Sequence, residues 1–419
     1  MSSQENQQAY YKKMSKTNLY LREQGNLLAG AFILIVSLPV VLMAAIATLW
    51  ECIDRKFKGQ PGTGFLFRMA AAFNKKTQSF NERFVTYKED AYMMNVIILL
   101  AVLVPILFTL CLKYTLTYGF SLSLCLAYNV LRLGPFMINF AYAYALSHKE
   151  GHMGKSLYKE PYGILFQNVF NWFIGLFYGI LPSTFAIGHS KNHHKYNNSY
   201  LDIISTADRP RDNFANWVRY LPRFTLYATN VSTVIQFYRE KNYKCCINMI
   251  VGTIYFIGFV VFCYNIHPLF AFGYVVYPFF ENVILLAAIN WSWHAFIDPV
   301  NPENEYAYNI TIRFGTFNIL EEDYHVVHHQ YPGAHWTKHS ELYEKHKEEY
   351  EKQKASMFQD THAFEVFGFV AFKQYDILAN KLMTKENLTH EQKVEFVKAR
   401  VRACTWGPFQ NVQSSSKTD

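Results

Sequence analysis

Long apolar runs constrain this chain more than any other feature. Leu27–Trp50, Met93–Leu112 and Ile247–Ile266 carry no charge at all, and Leu269–Ala295 carries only Glu281. A bilayer core takes about 20 consecutive apolar residues per helical span. Inside hydrocarbon each backbone N–H and C=O must be paired within its own element, so open runs of this kind become helices. The expectation is an all-α fold: a polytopic membrane helical bundle, with the polar connections gathered into a cytosolic cap.

The connections set the topology. Residues 1–24 are polar, with no apolar core of a cleavable signal peptide. Leu27–Trp50 is therefore read as a first span, a signal anchor with a tolerable Pro39 and an interfacial Trp50. Glu51–Tyr92 carries eight basic residues, among them Arg55, Lys58, Arg68, Lys75 and Lys76, and the excess of positive charge places it in the cytosol. Met93–Leu112 crosses outward, and the apolar stretch from Tyr114 returns to the cytosolic side at His148. Arg132, in the sequence RLGP, marks where that helix leaves the hydrocarbon. Gly163–Gly188 is long and uncharged but carries Gln167, Asn168, Asn171 and Pro182, so it is expected to lie along the interface or re-enter on one side. Lys191–Lys244 is a cytosolic cap segment with a turn at Thr206–Asp212, whose Arg209 and Arg211 read as solvated turn charges. Ile247–Ile266 and Leu269–Ala295 form a second hairpin, within which Glu281 is expected to bond to a neighbouring helix. The chain thus divides into residues 1–92 (tail, extra anchor and basic loop), 93–336 (membrane domain) and 337–419 (cytosolic helices and a disordered tail from Gln410).

The net charge of +8 fits loops held against an anionic leaflet. No nucleic-acid motif is present, and a nucleic-acid partner is not expected. The seven cysteines make no C-x-x-C and read as small core residues.

Nine of the 15 histidines fall in four tight clusters. They are His148 and His152; His189, His193 and His194; His294, four residues after Asn290; and His325, His328 and His329. On a helix His325 and His329 share one face. Adjacent imidazoles with a third at helical spacing are costly to bury without a metal. Imidazole suits iron, zinc, copper and nickel alike, but a catalytic zinc takes about three ligands and a structural one four, so nine histidines imply two ions. The Glu-x-x-His pairs of soluble di-iron bundles are represented only by Glu322–His325, and no H-E-x-x-H is present. His339, His346, His362 and His390 stand alone and read as surface residues, with His335 near the last cluster a candidate for a supporting role.

The series H-x-x-x-H, H-x-x-x-H-H and H-x-x-H-H, separated by membrane segments over about residues 93–336, resembles the membrane fatty acid desaturase family. Asn290 and His294 form the N-x-x-x-H of its acyl-CoA desaturase branch. The resemblance implies a cytosolic cap holding two ferrous ions. One would draw on the first box, the second box and His294, the other on the second and third boxes, with Asn290 holding a metal through water. It implies O2-dependent removal of two hydrogens from neighbouring methylenes of a lipid or acyl-CoA substrate, with hydroxylation as the alternative outcome. It also implies residence in the endoplasmic reticulum membrane and electrons from cytochrome b5 and its reductase, since no H-P-G-G haem signature is present. Box two departs from that branch by one extra residue before its His-His pair, and Leu27–Trp50 adds a span. A non-redox histidine-rich membrane receptor or transporter is the reading from another class.

Overall fold

The computed structural model describes residues 27–407, apart from 59–61, 153–155, 303, 316 and 385. The expectations for the polar N-terminus and the tail from Gln410 lie outside the described residues. Among the described residues, three helices are long and apolar enough to cross a membrane: Lys88–Tyr118 (α4 below), Tyr243–Ile266 (α10) and Pro268–Trp293 (α11). Two bent pairs bring the possible total to five.

The first bent pair is α1 (Leu27–Val36) with α2 (Leu38–Asp54), 46° apart. At the bend Ser37 Oγ donates back to Ile33 O at 2.7 Å, and Pro39 lacks the N–H that would continue the ladder. Helix α1 is not merely an appended anchor. Gly30 lies so close to helix α8 (Phe214–Ala228) that an added Cβ would sit 1.9 Å from Val218 O. The basic connection that follows contains helix α3 (Phe65–Asn81). It exposes Phe65, Met69 and Phe73 beside Arg68, Lys75 and Lys76, the pattern of a helix that lies in the headgroup region.

The second bent pair is α5 (Leu122–Leu133) with α6 (Ile138–His152). The bend is 45° and uses left-handed backbone at Gly134 (φ 71°) and Phe136 (φ 53°). Just before it, Arg132 is fully buried and pairs with Glu281 of α11 through two bonds, 3.0 and 2.8 Å long. Glu281 therefore bonds to a neighbouring helix, as its position suggested. Arg132 does more than mark a helix exit, because each charge makes the other's burial tolerable.

Gly163–Gly188 does not form one helix. It breaks into Tyr162–Phe166, Phe170–Ile174 and Gly175–Tyr178, and then the π-helix α7 (Thr184–His193). Gly179 makes the break by close approach: at φ 69° it presses on α11, where a Cβ would meet Phe279 N at 2.3 Å. Asn282 of α11 donates to Gly179 O at 2.9 Å.

The cap is built from α8 and α9 (Val231–Arg239), the short α12 (His325–Gln330), α13 (His339–Lys352), α14 (Ala363–Ala371), α15 (Tyr375–Lys381) and α16 (His390–Arg402). One parallel strand pair, Ile310–Arg313 with Ser356–Gln359, ties the two halves. The reading of Arg209 and Arg211 as solvated charges is corrected here, since they are only 2 % and 0 % exposed. Asp208 binds Arg209 at 2.7 Å and Arg223 at 2.8 Å. Arg211 donates to Ala295 O and Arg400 O, each at 3.0 Å. Carbonyls at the end of a helix have no partner within it, and here a buried guanidinium supplies the donors. All seven cysteines are free, and all but Cys52 are buried.

Candidate metal centre

All nine histidines converge where α6, α7, α11 and α12 end. Their ring nitrogens form two groups, each within a 4.8 Å span: His148, His152, His189, His194 and His328 in one, His193, His294, His325 and His329 in the other. Each adjacent pair therefore splits, His193 from His194 and His328 from His329. The grouping differs from the expected one in two respects, since His328 of the third box joins the first-box group and His294 leaves it. His294 instead joins His193 of the second box and His325 and His329 of the third.

Winding explains the extra residue of box two. Helix α12 is α-helical, so its first and last histidines, His325 and His329, share a face at i and i+4. Helix α7 is wound as a π-helix, in which i bonds to i+5. The first and last histidines of the box, His189 within the π-helix and His194 at its C-terminal cap, are five apart and again share a group. One inserted residue is absorbed by one wider turn.

The rings are held from behind. Asp202 Oδ2 lies 2.7 Å from His193 Nδ1, and Tyr308 O lies 3.2 Å from His294 Nδ1. Each Nδ1–H must then donate outward, which leaves the two Nε2 lone pairs facing each other at 3.1 Å. In the first group His148 Nδ1 faces Glu322 at 3.2 Å, and its Nε2 lies 2.7 Å from His189 Nε2. Converging lone pairs repel unless a cation lies between them. His328 and His329 reinforce the point, because none of their four ring nitrogens has a hydrogen-bond partner although all four atoms are buried. Such a donor set fits a divalent metal, and the carboxylate–histidine contacts are those that fix a ligand's tautomer.

The electrostatics agree. Burial, reinforced by neighbouring rings, holds His189, His194, His325, His328 and His329 well below the ordinary imidazole range, so they are neutral and available as ligands. Burial works to raise Glu322, but Lys149 at 2.9 Å and His148 hold it well below the usual carboxylate range. Burial pushes the Asp323 carboxyl up to about 8.

Asn290 does not join either group by direct contact. Its amide donates to Tyr220 Oη at 2.8 Å and to Ile204 O at 3.1 Å. His335 lies outside both groups, 3.0 Å from Asp90. His339, read as a surface residue, is fully buried. Its Nδ1–H donates to Glu321 O, its ring lies 5.9 Å from that of His328, and burial pulls it down to about 4. Asp202 and Glu322 are the supporting residues that sequence reasoning missed. Glu322 was visible three residues before His325, whereas Asp202, nine after His193, had no local signal.

Two cavities reach the histidines. One, of about 130 Å3, is apolar and runs from Met137, Phe317 and Phe364 past Leu286 to His148 and His189. Trp293 lines it and stacks on His325 with ring centres 4.3 Å apart. The other, of about 460 Å3, is polar and ends at His194 and His329.

Fold and site together define a helical membrane protein whose helices bring together two histidine groups that could hold metal, beside an apolar cavity. Residues 122–361, more than half of the chain, match the fatty acid desaturase family, and the chain belongs to it. No curated protein and no solved structure matches it.

Proposed function

We propose that the protein is a membrane-bound, O2-dependent fatty acyl desaturase with a histidine-ligated di-iron centre, closest in kind to the acyl-CoA desaturases. The observation that carries this reading is the apolar cavity ending at His148 and His189 of a nine-histidine site. A hydrocarbon chain is what such a lining binds. His148, His152, His189, His194 and His328 would hold one iron, and His193, His294, His325 and His329 the other; Asn290, directed to Tyr220 and Ile204, would act at most through water. When bound, the irons supply the activation of O2 for removal of hydrogen from an unactivated methylene. The chain's own part is positional. Phe317, Phe364 and Leu286 exclude water from the alkyl chain, Trp293 separates it from His325, and Asp202 and Glu322 fix the rings. Residence in the endoplasmic reticulum membrane, with the cap in the cytosol and electrons drawn from cytochrome b5 and its reductase, completes the proposal.

Elemental analysis of the detergent-purified protein is the test, followed by profiling of lipids for new double bonds. About two irons per chain are expected, lost in His193→Ala, His294→Ala and His328→Ala and kept in His390→Ala. Full metal content in all three ligand variants, or one zinc and no iron after anaerobic ferrous loading, would overturn it.

A further inference from the structure

The polar cavity is not needed by an alkyl substrate. It shares no lining residue with the apolar one, and it touches His194 of one group and His329 of the other. The rings of these two residues stack, with centres 4.2 Å apart and planes 16° from parallel. Between them and the surface the wall is oxygen-rich: Gln330, Asn309, Glu349 and Glu305 all line it. Asn309 is 2 % exposed, and His329 offers two buried ring nitrogens that have no hydrogen-bond partner. Lys195, which also lines it, reaches toward Glu240 at 3.5 Å, while Glu349 accepts from Gln353 at 2.7 Å and lies 3.9 Å from Lys352, so Glu305 and Glu349 are the carboxylates of the lining.

We propose that this cavity is the route by which the divalent metal ions enter and leave the site, separate from the route of the alkyl chain. The inference rests on the reading of the histidines as a metal centre. A hydrated dication cannot cross a wall of phenylalanine and leucine, because stripping its water without replacement costs far more than the site can return in transit. Carbonyl, amide and carboxylate oxygens replace that water one at a time. Glu305 and Glu349 add a field that raises the local concentration of cations, and the path ends where one step reaches either group.

The test is the rate of metal exchange, not activity. Full-length protein in detergent is stripped with a chelator, and the uptake of Co2+ and its later extraction by chelator are followed by absorbance. Glu305→Lys with Glu349→Lys should slow both at low salt by at least about fivefold, with the final metal content unchanged and the difference shrinking at high salt. Glu341→Lys, a charge reversal at a more exposed position on α13 away from the cavity lining, should leave both rates unchanged. Filling the apolar cavity of the unmodified protein with a long-chain alkane should also leave them unchanged. Equal rates in the double variant, an equal slowing in Glu341→Lys, or slowing by the alkane would overturn the route while leaving the metal centre intact. Failure of the unmodified protein to bind any Co2+ would overturn both.

Discussion

Asp202 Oδ2 lies 2.7 Å from His193 Nδ1, with both side chains sealed from solvent. The contact turns His193 Nε2 toward His294, and the pair defines one edge of the second histidine group. Removing the carboxylate frees the ring to rotate and to change tautomer. Asp202→Ala should weaken metal binding by about 10- to 100-fold, measured by competition with a chelator, with the group of His193, His294, His325 and His329 emptying first.

The π-winding of α7 makes a sharper prediction. Deleting Lys191, an exposed residue inside the box, leaves H-x-x-H-H, whose first and last histidines share a face on an ordinary α-helix. That variant should retain metal. Inserting one alanine after Ser190 separates the same histidines by six residues, which neither winding aligns, and metal should be lost. Elemental analysis of both proteins decides between winding and mere histidine count.

Burial keeps the ring nitrogens of His189, His194, His325, His328 and His329 neutral in the folded chain, with folded-state values below the unfolded one. In the unfolded chain an imidazole protonates near 6.5. Above that pH neither state gains a proton. Below it the unfolded state binds protons that the folded state refuses, so the stability of the metal-free protein falls as pH drops from about 6.5 toward the depressed values. Thermal unfolding of the stripped protein should be level from pH 8 to 7 and decline steadily below 6.5.

The Arg132–Glu281 pair is fully enclosed. Arg132→Ala leaves a carboxylate buried without its partner and should cost about 3–5 kcal/mol. Replacing both residues by leucine should recover most of that loss. Unfolding midpoints in detergent for the single and double variants test the coupling.

Ala141 lines the apolar cavity and is no metal ligand. Ala141→Trp should fill the space an alkyl chain would occupy, with lipid oxidation falling by at least about tenfold, equivalent to roughly 1.4 kcal/mol of lost binding. Metal content should stay unchanged. Parallel measurement of product and metal separates a blocked cavity from a damaged site.

Much of this molecule was legible in order of residues alone. The spans around Met93–Leu112, Ile247–Ile266 and Leu269–Ala295 follow from the need to pair every backbone group within hydrocarbon, a requirement that acts locally. The nine histidines were visible because metal ligands keep helical spacing within each box. Family membership follows from the same boxes.

Other features depended on contacts between distant parts of the chain. A charged turn reads as solvated until the unpaired carbonyls of α16 draw Arg211 inside, and a lone His339 reads as a surface residue until it packs behind His328. The split of each His-His pair between two groups, the π-turn in α7 and the support of His193 by Asp202 all arise where α6, α7, α11 and α12 meet. Local spacing determines which side chains share a helix face. Only the meeting of those faces decides which lone pairs converge, and it is there that a metal ion would gain its binding energy.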